Sequence, residues 1–369
     1  MRRQNDAVAA KMDVVPLQRR LLAWFDVHAR DLPWRQSRDP YRVWVSEVML
    51  QQTTVAAVIP YFHRFLERFP TLPDLAAATQ ADVLKLWEGL GYYRRARDLH
   101  AAAQLINERH AGQLPNDMDA ARSLPGFGRY TANAVLSQAF DAKLPILEAN
   151  SVRLLCRLFA IADDPKSSPV QKRLWELAEA ILPNKRVGDF NQALMELGAL
   201  VCTPNQPRCA ECPLASLCQA RLEDRIAEIP QKVARPKPEE VRETAVVLWR
   251  EKEIFLVQRP AQGRWAHMWE FPRAVALAEQ TPRVAAQNLL TDLGFDATLA
   301  GELTTIRHGV TRFRITLACL EATYRKGQFV ENAYPRGEWI HPNRLGEYPV
   351  STPQRKLATL VQGLSEQRK

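Results

Sequence analysis

The chain has 369 residues, is 46% hydrophobic and 25% charged, and carries a net charge of +9. These fractions exclude a disordered or fibrous protein, and the length favours two domains over one. No apolar run approaches the ~18 residues of a spanning helix, and the amino terminus has no signal-peptide core. We therefore expect a cytoplasmic protein without a membrane segment, whose positive charge permits a polyanionic partner without proving one.

The first two thirds of the sequence have a helical pattern. Between residues 17 and 220, apolar residues recur at every third or fourth position, and strand-like alternation is scarce. Prolines such as Pro33, Pro40 and Pro73 separate the periodic segments. The pattern predicts helices of roughly 8–20 residues throughout this region.

A glutamate in the first part of this region has an unusual setting. Glu47 lies within the segment 44–53 (WVSEVMLQQT), among apolar residues on a helix predicted to be largely buried. A carboxyl group there must be paired or have a raised pKa, and a raised pKa would let it act as an acid near neutral pH. From these residues alone, a salt-bridged structural glutamate is the preferred interpretation.

The segment 124–132 (LPGFGRYTA) has the pattern of a tight hairpin between two helices. Pro125 ends one helix, and Gly126 and Gly128 allow a turn whose amides point outward before the next helix begins. Such a turn can hold a phosphate through backbone N–H groups and a helix amino terminus. An ordinary helix–helix turn explains the same residues equally well.

Four of the six cysteines, Cys202, Cys209, Cys212 and Cys218, fall within 17 residues. Without a secretory signal, such a cluster indicates a metal site in a reducing compartment. Zinc also takes four cysteines and remains the alternative. One short loop with three unequal spacings is more typical of a [4Fe–4S] cluster, and we expect one such cluster.

The periodicity changes after a segment rich in proline and charge at residues 229–240. Beyond it, alternating β-branched runs predict strands, and one helical segment at 281–293 interrupts them, so the second domain is expected to be α+β. The predicted strands cover residues 244–249, 254–258 and 313–317. The predicted bounds are 1–16 for an N-terminal tail, 17–228 for the helical domain, 229–240 for the linker and 241–364 for the second domain.

These motifs in this order, with PILEAN at 145–150, resemble the helix–hairpin–helix DNA glycosylases, and among them the MutY-type adenine glycosylases. The resemblance covers residues 17–218 and includes LWEGLGYYRRAR and FNQALMELGALVC. It implies an all-α glycosylase domain with a [4Fe–4S] cluster loop. The segments 259–272 and 305–313 resemble a Nudix-like module that recognises 8-oxoguanine. A working Nudix hydrolase needs a carboxylate-rich helix to hold magnesium, and the corresponding segment 287–295 keeps only Asp292. We therefore expect no pyrophosphate hydrolysis.

The resemblance implies a monofunctional DNA glycosylase of base excision repair. It would hydrolyse the N-glycosidic bond of adenine mispaired with 8-oxoguanine or guanine, after flipping the base. Tyr130 stands where the related endonuclease III has a lysine nucleophile, and a phenol cannot form the imine that leads to strand cleavage. The implied partner is double-stranded DNA with such mispairs, and the implied protein is a monomer at the nucleoid of a bacterial cytoplasm.

The resemblance also implies catalytic roles. Glu47 would protonate the adenine and orient the attacking water, and Glu148 would stabilise the oxocarbenium-like sugar. The family has aspartate at the position of Glu148 and glycine at Ala149, so this carboxylate is longer by one methylene. Asn150 and Tyr130 would support it.

The resemblance also implies which residues recognise the DNA. In the helical domain, Gln52 would wedge into the duplex, Thr53 would contact the opposite base, and Tyr92 would contact 8-oxoguanine. The adenine pocket would be lined by Trp34, Arg35 and Gln192, and the hairpin would be formed by Gly126 and Gly128. In the second domain, Thr311 would contact the lesion. It lies in Val310-Thr311-Arg312, where the family has Phe-Ser-His.

Two alternatives to this function stay open. The first is a pyrimidine-damage or thymine-mismatch glycosylase of the same superfamily. The second is a catalytically impaired lesion-binding protein, in which the change at Glu148 has removed activity.

Overall fold

The computed structural model describes residues 13–231, 237–277 and 280–367. Their contacts divide them into two units. The helical unit comprises the described residues of Met1–Ala77 and Asp98–Ala234, and the sheet unit those of Ala78–Arg97 and Arg235–Lys369. Part of the predicted tail and residues 232–236 of the predicted linker lie outside the described residues. The predicted domain bounds stay predictions, although the contacts group Ala78–Arg97 with the sheet unit.

The described chain before residue 232 is helical, as predicted, but four of its helices have only four to seven residues and are shorter than the predicted range. Its helices are α1 (Val14–His28), α2 (Pro40–Leu50), α3 (Val55–Arg68), α4 (Leu72–Ala77), α5 (Gln80–Leu86), α6 (Arg94–Arg109), α7 (Met118–Arg122), α8 (Arg129–Phe140), α9 (Ala149–Leu158), α10 (Ser168–Ala180), α11 (Val187–Leu200) and α12 (Gln219–Leu222). Short 3-10 turns cover Pro33–Arg35 and Cys209–Glu211. Among the described helices, none is both long and apolar enough to cross a membrane.

Local sequence explains where α2 begins. The side chain of Asp39 accepts hydrogen bonds from the backbone N–H groups of Tyr41 and Arg42, and Pro40 occupies the first turn. Aspartate caps of this kind satisfy amides that have no partner inside the helix. Pro40 therefore starts a helix, which differs from its predicted place between two helices.

Helix α11 packs unusually closely on α8 and α9. A Cβ atom added at Gly188 would lie 2.5 Å from the backbone oxygen of Ser137 in α8. A Cβ atom added at Gly198 would lie 2.8 Å from the side chain of Asn150 in α9. Because neither position has room for a side chain, the two glycines set the spacing of the helices that carry the predicted catalytic residues.

The sheet unit has one mixed, seven-stranded sheet. Its strands are β1 (Glu239–Arg250), β2 (Glu253–Gln258), β3 (Trp269–Glu270), β4 (Arg273–Val275), β5 (Phe295–Val310), β6 (Phe313–Gly327) and β7 (Arg336–Ile340). The order is β3-β2-β1-β6-β5, with β4 pairing to β1 and β7 to β2. Strands β1 and β6 run parallel, whereas β5 and β6 form a long antiparallel hairpin.

Helices α13 (Pro282–Asp292) and α14 (Thr352–Gln367) cover the two faces of this sheet. In β1, Val247 and Trp249 pack in one apolar cluster with α14, while Val246 and Leu248 pack in another with α13. This alternation is what a strand buried on both faces requires. The predicted α+β class is confirmed, and the predicted strands lie within β1, β2 and β6; β5 was not predicted.

A buried ion network joins three strands of the sheet unit. Arg273 of β4 donates to Glu270 of β3 at 2.9 Å and also to Glu243 of β1. Arg259 donates to Glu270 at 2.8 Å, and Arg264 to Glu243 at 3.1 Å. Both glutamates are almost fully buried, so each carboxylate depends on its arginines for its stability as an ion.

Removing the shared arginine should destabilise the sheet unit. In Arg273→Met, two buried carboxylates lose a partner, and the free energy of unfolding should fall by about 3 kcal/mol or more. The matched control is Arg314→Met, whose partner Glu240 is exposed, and which should cost less than about 1 kcal/mol. Thermal unfolding of both variants measures the difference, and equal losses would contradict this account.

Candidate active site

Glu47 is the best-enclosed carboxyl group among the predicted catalytic residues. It lies on α2 and is only 4% exposed. The hydroxyl of Tyr130 donates to its Oε2 at 2.8 Å, and the Nε2 amide of Gln138 donates to its Oε1 at 2.7 Å. The expectation that Tyr130 supports Glu148 is therefore corrected, because its hydroxyl is directed to Glu47. Both donors lie on α8, eight residues apart and therefore on the same face of that helix. The predicted buried helix around Glu47 is confirmed.

Burial raises the pKa of the Glu47 carboxyl. The hydrogen bonds from Gln138 and Tyr130 act in the opposite direction, since they favour the charged form. Glu148 adds a repulsive charge interaction and Arg35 an attractive one. Within the described residues Glu47 forms no salt bridge, so the structural interpretation of a paired ion does not describe its surroundings.

Glu148 is the N-cap of α9. Its Oε1 accepts from the backbone N–H of Ser151 at 2.7 Å, and its Oε2 accepts from the backbone N–H of Asn150 at 2.8 Å. The amide of Asn150 donates to the same Oε2 at 3.1 Å. Burial raises the pKa of Glu148, and these hydrogen bonds oppose the rise. The extra methylene thus leaves the carboxylate folded back on the helix amino terminus, where an aspartate cap would also lie.

Arg153 connects this cap to the start of the cysteine loop. Its Nη2 donates to Asn150 Oδ1 at 2.9 Å and to the carbonyl of Gly198 at 2.7 Å. Its Nε donates to the carbonyl of Cys202 at 2.7 Å. A single guanidinium therefore ties α9, α11 and the first cysteine together, which couples the position of Glu148 to the conformation of the loop.

The four cysteines of the loop line one cavity, whose other walls are mainly apolar. Cys202 is buried, and Nη1 of Arg157 lies 3.4 Å from its Sγ as a donor. Within the described residues, no group of three or more His, Cys, Asp or Glu side chains is arranged to hold a metal ion. A [4Fe–4S] cluster differs from a single ion, because it takes one thiolate on each of its four irons, and the four thiols that line one cavity match that donor set in kind and number.

Arg35 and Gln192 are in contact, as expected for two residues of one pocket. Arg35 donates from Nε to Gln192 Oε1 at 2.8 Å and from Nη2 to Glu196 at 3.0 Å. Burial alone would raise the pKa of Glu196, but hydrogen bonds from Arg30 and Arg35 lower it to about 2. Arg35 is thus held in place by Gln192 and Glu196.

Trp34, the third residue predicted to line the pocket, is buried and packs edge-on against Phe62 with ring centroids 5.4 Å apart.

The hairpin before α8 has the predicted form. Gly126 has a φ of +76°, and Gly128 is the N-cap of α8 with no side chain within 4 Å of its open side. Gln52 is exposed and has a φ of +60°, and the hydroxyl of its neighbour Thr53 donates to the carbonyl of Gln51. Gly128 thus stands at the amino terminus of α8, a position that suits contact with a phosphate, and the exposed polar side chain of Gln52 suits contact with a base edge.

Comparisons with known proteins place this site in a family. Residues 45–180 match the HhH-GPD superfamily of base excision DNA repair proteins, and residues 244–360 match the NUDIX domain. The adenine DNA glycosylase of Homo sapiens is 35% identical over 408 residues, covering 95% of this chain and 75% of the human protein. That of Rattus norvegicus is 41% identical, covering 70% of this chain and 60% of the rat protein.

The chain belongs to the adenine DNA glycosylase family. A solved structure of a thermostable thymine-DNA glycosylase is also similar, with 30% identity and a TM-score of 0.51 over 56% of this chain and 95% of its own. The predicted family and the two-part fold class are confirmed.

Two of the predicted lesion contacts lie in the sheet unit. Tyr92 is half-exposed, at 49%, and has a φ of +50°. Thr311 is exposed at the tip of the β5–β6 hairpin, also with a φ of +50°. Its neighbour Arg312 forms an exposed ion pair with Glu239 at 3.2 Å.

Sequence reasoning missed several residues that hold the candidate site. Gln138 could have been found, because it lies eight residues after Tyr130 in one predicted helix and must share its face. Arg30, Arg153 and Glu196 had no comparable signal, since their partners are distant in the sequence.

Proposed function

We propose that this protein hydrolyses the N-glycosidic bond of adenine paired with 8-oxoguanine or guanine, without an efficient strand-cleaving step. The observation that carries the proposal is the buried Glu47 carboxyl, held by Tyr130 and Gln138. Its raised pKa keeps a proton available at higher pH than an ordinary glutamate would. A proton donor is the main requirement, because adenine leaves poorly as an anion.

The first step transfers the Glu47 proton to a ring nitrogen of an adenine flipped out of the duplex. The electrons of the N-glycosidic bond then leave with the neutral base, and the sugar gains oxocarbenium character. The ionised Glu148 stabilises that positive charge, or captures it covalently, and Asn150 and Tyr130 support the site. Ionised Glu47 next accepts a proton from the attacking water, which restores the acid.

Recognition uses surfaces on both units. Gln52 wedges into the duplex, Thr53 contacts the base opposite the adenine, and the pocket residues Trp34, Arg35 and Gln192 line the flipped base. Tyr92 and Thr311 contact 8-oxoguanine. The hairpin of Gly126 and Gly128 binds the DNA backbone through its amides. The partner is double-stranded DNA, and we propose a monomer acting at the bacterial nucleoid.

We also propose that Cys202, Cys209, Cys212 and Cys218 hold one [4Fe–4S] cluster. The cluster supplies structural cross-linking, since four thiolates leave no open position for hydrolysis. Arg157 and Arg153 fix the backbone at the start of this loop. The loop conformation in turn positions Asn150 and the Glu148 cap through Arg153.

The role of Glu47 is tested by Glu47→Gln, which removes the acid, while its amide oxygen can still accept from Gln138 and its NH2 can donate to the Tyr130 hydroxyl. Adenine release under single turnover should fall by at least about 100-fold, while DNA binding survives. The folded state holds the Glu47 proton more tightly than the unfolded state does. The parent therefore loses stability as the pH rises above the ordinary value of 4.5 through the raised pKa.

Glu47→Gln should consequently raise the melting temperature at neutral pH. The gain should vanish at acidic pH, where Glu47 is protonated in both the folded and the unfolded state. The matched control is Glu67→Gln on α3, an exposed position, which should change neither activity nor stability. A Glu47→Gln protein that releases adenine at the parental rate would remove Glu47 from the mechanism.

Glu148 is tested by three replacements that separate its charge from its cap. Glu148→Asp keeps both and should match or exceed the parent. Glu148→Asn caps the helix without charge, so activity should fall by about 100-fold with little loss of stability. Glu148→Ala should lose activity and also about 0.5–2 kcal/mol of stability. Parental activity in Glu148→Asn would show that the carboxylate charge is not needed.

The cluster is tested on the purified protein. Aerobic preparations should be yellow-brown and contain roughly four irons and four sulfides per chain. Cys212→Ser should lower the iron content and the melting temperature together. Stoichiometric zinc without inorganic sulfide would contradict the proposal.

A further inference from the structure

The backbone around Tyr92 is strained. Gly89, Gly91 and Tyr92 have φ values of +101°, +73° and +50°. Glycine adopts such values freely, but a tyrosine with positive φ is uncommon and costs energy. The Tyr92 ring is nevertheless half-exposed, so burial of the ring does not account for the strain. Other contacts must hold this turn in place.

Contacts within the segment hold the shape of the turn. The indole N–H of Trp87 donates to the carbonyl of Gly91 at 3.1 Å, and Nη2 of Arg95 donates to the same carbonyl at 3.2 Å. The Arg95 guanidinium also lies 5.4 Å from the Trp87 ring and 5.6 Å from the Tyr92 ring. All these partners lie within nine residues of sequence, so they define the conformation of the turn but not its location.

Two of the contacts made by this segment reach distant parts of the sheet unit. Arg355 of α14 donates from Nε and Nη2 to the two carboxylate oxygens of Glu88, at 2.6 and 2.8 Å. After the turn, Nη1 of Arg97 donates to the carbonyl of Ala266 at 3.2 Å. The Arg355–Glu88 ion pair is bidentate, so it restricts the orientation of the two side chains as well as the distance between them.

Arg355 is itself firmly held. Its Nη1 donates to the carbonyl of Leu345 and its Nη2 to that of Tyr348, both at 2.8 Å. The side chains of Arg355 and Glu88 are only 29% and 16% exposed. Partial burial and four hydrogen bonds distinguish this pair from ordinary surface ion pairs, which contribute little.

We propose that Arg355 is a positioning residue that places Tyr92 through Glu88 and thereby sets the preference for 8-oxoguanine over guanine. This inference rests on the proposed function, in which Tyr92 contacts the lesion. The Nudix-like fold then contributes to lesion recognition twice, through its own Thr311 hairpin and through the location of Tyr92. A misplacement of about 1 Å at a positioned group can cost on the order of 100-fold in rate.

The positioning is tested first without DNA, by hydrogen exchange in the full chain with Arg355→Met, Glu88→Gln and the double variant. Glu88→Gln is essential, because it spares the bonds from Arg355 to Leu345 and Tyr348. Each single variant should raise amide exchange in peptides covering residues 86–95 by several-fold, with β1 and α13 unchanged. The double variant should add nothing to the larger single effect, as expected for partners in one pair.

The matched control for exchange is Arg314→Met, which removes an exposed ion pair with Glu240 in the same unit. It should leave residues 86–95 unchanged. Unaltered exchange of this segment in both Arg355→Met and Glu88→Gln would overturn the positioning role.

The effect on specificity is tested by single-turnover adenine release from duplexes with adenine opposite 8-oxoguanine or guanine. Both single variants should lower the ratio of the two rate constants by about 10-fold, with release opposite guanine within about 2-fold of the parent. If the variants are active and the ratio of the two rate constants is unchanged, the inference about Arg355 is overturned and the proposed function is not. A parent that releases no adenine would instead overturn the proposed function, and the exchange result would still decide the positioning.

Discussion

A single buried carboxyl group constrains the architecture of the helical unit. Glu47 has no cation in direct contact among its described hydrogen-bond partners, and it is enclosed by α2 and α8. A charged carboxylate is costly in such a place, so the surroundings favour the protonated form. The cost of that burial is tolerable only because Tyr130 and Gln138 satisfy both oxygens. A proton donor thus follows from the packing itself.

The elements around Glu47 are arranged so that the proposed DNA contacts and the proposed chemistry depend on the same helices. Helix α8 begins at the glycine hairpin and carries both partners of Glu47. Helix α11 approaches α8 and α9 closely at its two glycines. Helix α9 begins at the Glu148 cap, and Arg153 links it to the carbonyl of Cys202. A change in the cysteine loop would therefore reach the second carboxylate through a short chain of hydrogen bonds.

The parts of this structure that follow from local sequence were predictable. Apolar periodicity gave the helices, glycine and proline placed the hairpin before Arg129, and alternation located β1 and β2. Strand β5 was missed although Phe295–Leu299 alternates buried and exposed residues, because register shifts after Leu299 interrupt that alternation and pairing with β6 supplies the order. Pairs such as Glu243 with Arg273 and Glu88 with Arg355 were also missed. Their partners meet only after the sheet and helices have assembled, so no local pattern encodes them.

The measurement closest to the central claim is single-turnover base release by the unmodified protein, on adenine opposite 8-oxoguanine and on thymine opposite guanine, from about pH 5 to pH 9. The account predicts release of adenine and not of thymine, with a rate constant that falls as the pH rises through an apparent pKa above that of an ordinary glutamate. Release of thymine alone, or adenine release that does not depend on pH across this range, would contradict it.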